Sequence, residues 1–81
     1  MDDREIHHRI TALIEAKHEL RAKVASGELS GAQERAELKA TEEALDQCWD
    51  LLRQRQARRD AGQDPDGAEV RPVSEVEGYQ Q

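Results

Sequence analysis

Aromatic side chains are almost missing from this chain: one Trp, one Tyr and no Phe among 81 residues. So few large flat groups cannot fill the mixed core of a sheet-containing domain, and they offer no row of rings on which bases could stack. Cysteine occurs once, at Cys48, so no disulfide can form within the chain, which suits a reducing cytoplasm. Long hydrophobic runs are absent too. Residues 1–25 open with Asp2 and Asp3 and hold no unbroken apolar stretch, which predicts neither a secretory signal nor a membrane span. Positive charge is also short, with 12 Lys and Arg against 18 Asp and Glu and a formal net charge of −6. General affinity for phosphate backbones needs a broad basic footprint, and this chain lacks one. The expectation is a cytoplasmic protein that touches no membrane.

What the chain does have is charge and helix-forming residues. Charged groups make up 37% of it, a composition suited to helices that bury a narrow stripe of Leu, Ile and Ala. The length allows one small domain. Charge is unevenly spread: residues 1–52 carry a net −5, residues 53–61 a net +3, and residues 62–81 a net −4.

Apolar residues recur at steps of three and four from Ile6 through Ile10, Leu13, Leu20 and Val24, with Ile14 beside them. The spacing predicts a helix over residues 3–25, capped by Asp2 or Asp3 and stopped at Ser26-Gly27. Lys17 interrupts the stripe. After a turn over residues 26–30, Ser30-Gly31-Ala32-Gln33 fits a capping box and opens a second helix over residues 31–60. Leu38, Thr41, Leu45, Cys48 and Leu52 form its stripe, widened by Ala40, Ala44 and Leu51, and Gly62 with Pro65 ends it. A turn this short makes the helices antiparallel neighbours. Pairing them about it sets Leu20 against Leu38, Leu13 against Leu45, Ile10 against Cys48, Ile6 against Leu52, and Lys17 against Thr41. Past Leu52 the first helix runs out, and the arginines that follow should project beyond it.

The predicted fold is therefore all-α, residues 1–61 forming a coiled-coil-like hairpin and residues 62–81 an extended or disordered acidic tail. Two helices leave their seam half exposed, and the chain offers no metal set or disulfide as a staple. Self-association is the expected remedy: a homodimer making a four-helix bundle, with Ala44, Leu45, Cys48, Trp49, Leu51 and Leu52 as core or dimer interface. Trp49, between Leu45 and Leu52, reads as a core residue.

Signals for chemistry are weak. Glu15 and His18 have the Glu-x-x-His spacing of di-iron bundles, but Glu15 points away from the stripe, so no metal site is expected. His7, His8 and His18 read as surface residues, and Cys48 as a small buried hydrophobe. No catalytic residue, cofactor or enzymatic activity is predicted. The functional candidate is the cluster Arg53, Arg55, Arg58 and Arg59, which could dock an acidic protein partner. The tail, with Asp64, Asp66, Glu69, Glu75 and Glu77 and with Val70, Val73 and Val76, is expected to fold back over these arginines as a weak lid. The alternative is a nucleic-acid-associated regulator using the Arg53–Arg59 cluster.

The run Leu45-Asp46-Gln47-Cys48-Trp49-Asp50-Leu51-Leu52-Arg53-Gln54-Arg55 resembles the hallmark of an uncharacterised, mostly actinobacterial family, domain-of-unknown-function family 2630. Met1-Asp2-Asp3 with Glu5-Ile6, Asp64-Pro65-Asp66, Val70-Arg71-Pro72 and Val76-Glu77-Gly78-Tyr79 extend the resemblance over nearly the whole chain. The family carries no assigned activity, so the resemblance implies no catalytic residues. It does imply that the tail belongs to the protein's normal design. The function expected is that of a small non-enzymatic protein–protein interaction module.

Overall fold

The first helix begins where Asp2 closes a reciprocal cap: its carboxylate accepts from the Glu5 amide at 2.8 Å while the Glu5 side chain accepts from the Asp2 amide. In the computed structural model, which describes residues 1–78, this helix is α1, Asp3–Ala25. Tyr79, part of the family resemblance, and the tail beyond it lie outside the described residues. Ser30 and Gln33 close the same kind of cap on α2, Gly31–Asp60. Both helix boundaries fall where the caps and periodicity place them.

Both helices end by one device. Gly27 and Gly62 take the left-handed conformation, at φ +82° and +73°. After α1, Gly27 N–H reaches Val24 C=O and Glu28 N–H reaches Lys23 C=O. After α2, Gly62 N–H reaches Arg59 C=O and Gln63 N–H reaches Arg58 C=O. These are two Schellman motifs, each satisfying carbonyls the helix leaves orphaned.

The helices lie side by side as a hairpin. Asp3 at the start of α1 meets Arg55 and Arg59 near the end of α2, and Lys17 meets Glu42 at 3.6 Å midway along. Lys17 thus pairs with Glu42 instead of Thr41, whose hydroxyl donates to its own helix at Glu37 C=O. Ile6, Ile10, Cys48 and Leu51 form the buried cluster, with Leu13, Leu45, Leu52 and Ala68 packed around it.

Ala68 belongs to the tail, which is not a featureless extended segment. Pro65–Gly67 makes a 3-10 turn capped by the Asp64 side chain, Ala68 leaves it in extended backbone, residues 69–72 have no regular secondary structure, and Val73–Gly78 forms a short helix, α3. A proline before Val73 explains the switch. It disfavours helix at Arg71 before it, and its carbonyl accepts from the amides of Glu75 and Val76 to start the helical turn. Six residues cannot hold a helix in isolation. Packing holds this one: among the described residues α3 meets α2 alone, and Val76 is wholly buried. The tail therefore lies along the flank of α2 that Leu51 shares, covering part of the surface assigned above to a second copy. The folded chain is a slab of 51 × 27 × 14 Å.

Candidate functional site

Helical spacing scatters the four arginines. Arg55 turns inward and is buried; its guanidinium donates to the Asp3 carboxylate, to Pro65 C=O at 3.1 Å and to the Asp66 carboxylate at 2.9 Å. Arg59, one turn on, takes the other side of Asp3 at 2.9 Å and also donates to Gln56. Arg58 lies over the backbone of the tail at Gly67. Arg53 stands exposed and, among the described residues, makes no ion pair. The expectation that these residues project past α1 is therefore corrected, because Asp3 reaches two of them.

Electrostatics follow that geometry. Hydrogen bonds from Arg55, then Arg59, hold the Asp3 carboxyl below its ordinary value. Hydrogen bonds to Asp3, then Asp66, raise Arg55 in turn. A guanidinium so engaged is a structural tie between α1, α2 and the tail, and it is not open to a partner.

A second ionic centre has no counterpart in the arginine cluster. Asp50 is 1% exposed, and its carboxylate receives both Nε and Nη2 of Arg71, the first at 2.9 Å. Gln54 donates to the same carboxylate at 3.0 Å. Hydrogen bonding from Arg71 is the main cause that lowers the Asp50 pKa, against the opposing push of burial. Gln47 and Gln54 also donate to the backbone, at Arg71 C=O (3.1 Å) and Glu69 C=O (2.7 Å). Asp50 lies off the apolar stripe, and Gln47 and Gln54 look like ordinary surface amides in sequence. The one available signal was Arg71, the sole cation in an acidic segment.

Of the six residues assigned to core or dimer interface, Cys48 and Leu51 are buried, and Ala44, Leu45 and Leu52 are half-buried. Trp49 is not core. It is 45% exposed, and its indole meets the His7 imidazole edge to face with ring centres 6.4 Å apart. The stripe has two edges, and the tail runs along the Leu51 edge, leaving the Trp49 edge open. There Trp49, His7 and Leu52 form the floor of an open groove of about 400 Å³, bordered by Asp3, Arg53, Gln56 and Arg59. Cys48 lines a separate cavity of about 160 Å³ with Ile6, Leu51 and Val70. Glu15 and His18 are both exposed.

A helical hairpin strapped along one flank by its own tail, with an aromatic groove open on the other, is the class of protein these elements define. The chain belongs to the family described as "Protein of unknown function (DUF2630)", which matches residues 2–81. It is 47% identical over 77 residues to Rv0898c of Mycobacterium tuberculosis (strain ATCC 25618 / H37Rv), described as an uncharacterized protein. Mb0922c of Mycobacterium bovis, described in the same words, matches equally, the alignment spanning 95% of this chain and 88% of the relative. No solved structure matches the chain. No helix among the described residues is long and apolar enough to cross a membrane.

Proposed function

We propose that the protein is a small non-enzymatic interaction module whose working surface is the Trp49 groove, and that its partner presents an acidic segment. The observation that carries this reading is the exposure of the one Trp beside an arginine that makes no ion pair among the described residues. A half-exposed indole flanked by Arg53 is the pairing that dominates binding energy at protein interfaces. Arg53 supplies charge complementary to carboxylates, and the ring supplies apolar area at small entropic cost. Arg59 borders the groove with its side chain 37% exposed and its charge shared with Asp3.

The other reading, a nucleic-acid-associated regulator using Arg53–Arg59, draws less support from this arrangement. Two of the four arginines are matched by Asp3 and Asp66, so the local positive field is smaller than the sequence implies. The homodimer is the competing occupant of the same groove: a second copy would use the Trp49 edge, because the tail covers the Leu51 edge.

Affinity capture with the wild-type chain and with a Trp49→Ala/Arg53→Glu variant tests the reading, followed by titration of the captured protein. The expected result is an acidic protein bound by the wild type and lost by the variant, with a blue shift of Trp emission on binding. Equal retention by both chains would overturn it. So would a two-chain mass in sedimentation equilibrium that Trp49→Ala reduces to one, since the groove would then belong to a second copy.

A further inference from the structure

The tail is held in the manner of a bound peptide. Glu69 and Arg71 are two residues apart in a stretch without helix or turn, and the carbonyls of both face α2. Gln54 and Gln47, two turns apart on α2, each donate to one of them. Asp50 lies between, three residues from Gln47 and four from Gln54, hence on the same flank of the helix. Its carboxylate takes two nitrogens of the Arg71 guanidinium, a fork that lysine cannot reproduce. Pro72 follows and disfavours helix at Arg71. Backbone reading by two amides and side-chain reading by one buried carboxylate together make a recognition surface. The segment on it is only lightly covered, with Glu69, Val70 and Pro72 all exposed.

We infer that the Gln47–Asp50–Gln54 flank of α2 is a peptide-binding surface for an extended arginine-proline segment, and that the protein's own tail is its resident ligand. The occupant that replaces the tail is a partner's segment of the same chemistry: an arginine in extended backbone followed by proline. Three features argue for that occupant. Asp50 forms no other ion pair among the described residues, so an emptied flank presents an uncompensated carboxylate between two amide donors. The two amides need carbonyls of alternate residues, which an extended chain supplies and a helix does not. Glu69, Val70 and Pro72 are exposed, so this stretch can lift off α2 while Arg55 still holds Pro65 and Asp66 at its root. This surface and the Trp49 groove occupy different flanks of α2 and meet at Arg53, which borders the groove and also lines a pocket with Gln54, Ala57 and Arg71.

The test uses the full chain and a fluorescein-labelled synthetic peptide of residues 64–78. Arg71→Glu sets two carboxylates against each other and expels the resident tail. The Arg71→Glu chain should bind the peptide at least tenfold more tightly than the wild type, whose flank is occupied. Adding Asp50→Asn to that variant should abolish the gain, and a peptide carrying lysine in place of the arginine should bind at least tenfold more weakly. Val76→Asp expels α3 and leaves the three reading residues intact, so it provides the same measurement if Arg71→Glu loses its helical signal. Peptide binding by either helical variant no tighter than by the wild type would overturn the inference, as would equal binding of the lysine peptide.

Discussion

Asp50 and Arg71, 21 residues apart in the chain, meet as a carboxylate that water barely reaches and a guanidinium that forks around it. The pair joins the middle of the longest helix to a segment that has almost no secondary structure of its own. Breaking it from the two sides should have unequal effects. Arg71→Ala leaves a buried charge uncompensated and should cost about 3 kcal/mol, whereas Asp50→Asn keeps the shape and part of the hydrogen bonding and should cost about 1.5–2 kcal/mol. Urea unfolding gives the magnitudes. Amide exchange should show the loss concentrated in residues 68–76, with α1 little affected.

Acid should loosen the same regions. Asp3 and Asp50 both titrate below the ordinary carboxylate value of 3.8 in the folded chain, so each contributes stability that is present above that value. That contribution disappears as the pH falls from the unfolded value through the lower folded one. Stability from these groups should be flat between pH 6 and 8 and should fall steeply below about pH 4. Unfolding midpoints across pH 2–8 would show it, and Asp50→Asn should flatten the acid limb without removing the Asp3 share.

Trp49 and Ile6 reverse the usual ranking of large and medium side chains. Ile6 is fully buried and Trp49 nearly half exposed. Ile6→Ala should cost about 3–4 kcal/mol, within the range for emptying a core position. Trp49→Ala should cost about 1 kcal/mol, since much of the ring never leaves water. The emission maximum of the native protein should lie between those of a buried and a fully exposed indole.

Gly62→Ala isolates the root of the strap. A methyl group there meets nothing within 4 Å, so the whole penalty is the left-handed backbone, about 1–2 kcal/mol. Gly27→Ala should cost the same amount of stability, because that site is equally open. Only the Gly62 change should raise amide exchange in the tail, which separates the two in a single exchange experiment.

The hairpin was legible because its signals are local. Asp2 with Glu5, Ser30 with Gln33, and a glycine after each helix are fixed by neighbours within three or four residues, and each sets a boundary without reference to the rest of the fold. Trp49 shows where periodicity stops being informative. A helical wheel places it on the edge of the stripe, but which edge gets covered depends on the route of the tail. That route is set by Asp50, Gln47 and Gln54, polar residues whose partners lie 15 to 24 positions away. The arginines failed for a related reason. Counting turns ended α1 before Arg55, whereas the long Arg55 and Arg59 side chains lean back to reach Asp3.

Arg55 has a mechanical consequence. One side chain ties the first turn of α1, the end of α2 and the start of the tail, through Asp3, the Pro65 carbonyl and Asp66. A pulling force applied between the N-terminus and Asp66 is borne by this guanidinium, with Arg59 sharing the grip on Asp3, before any load reaches the turn at Gly27. Under tension the hairpin should stay closed while Arg55 holds, and then its helices should peel apart from the open end, one turn at a time.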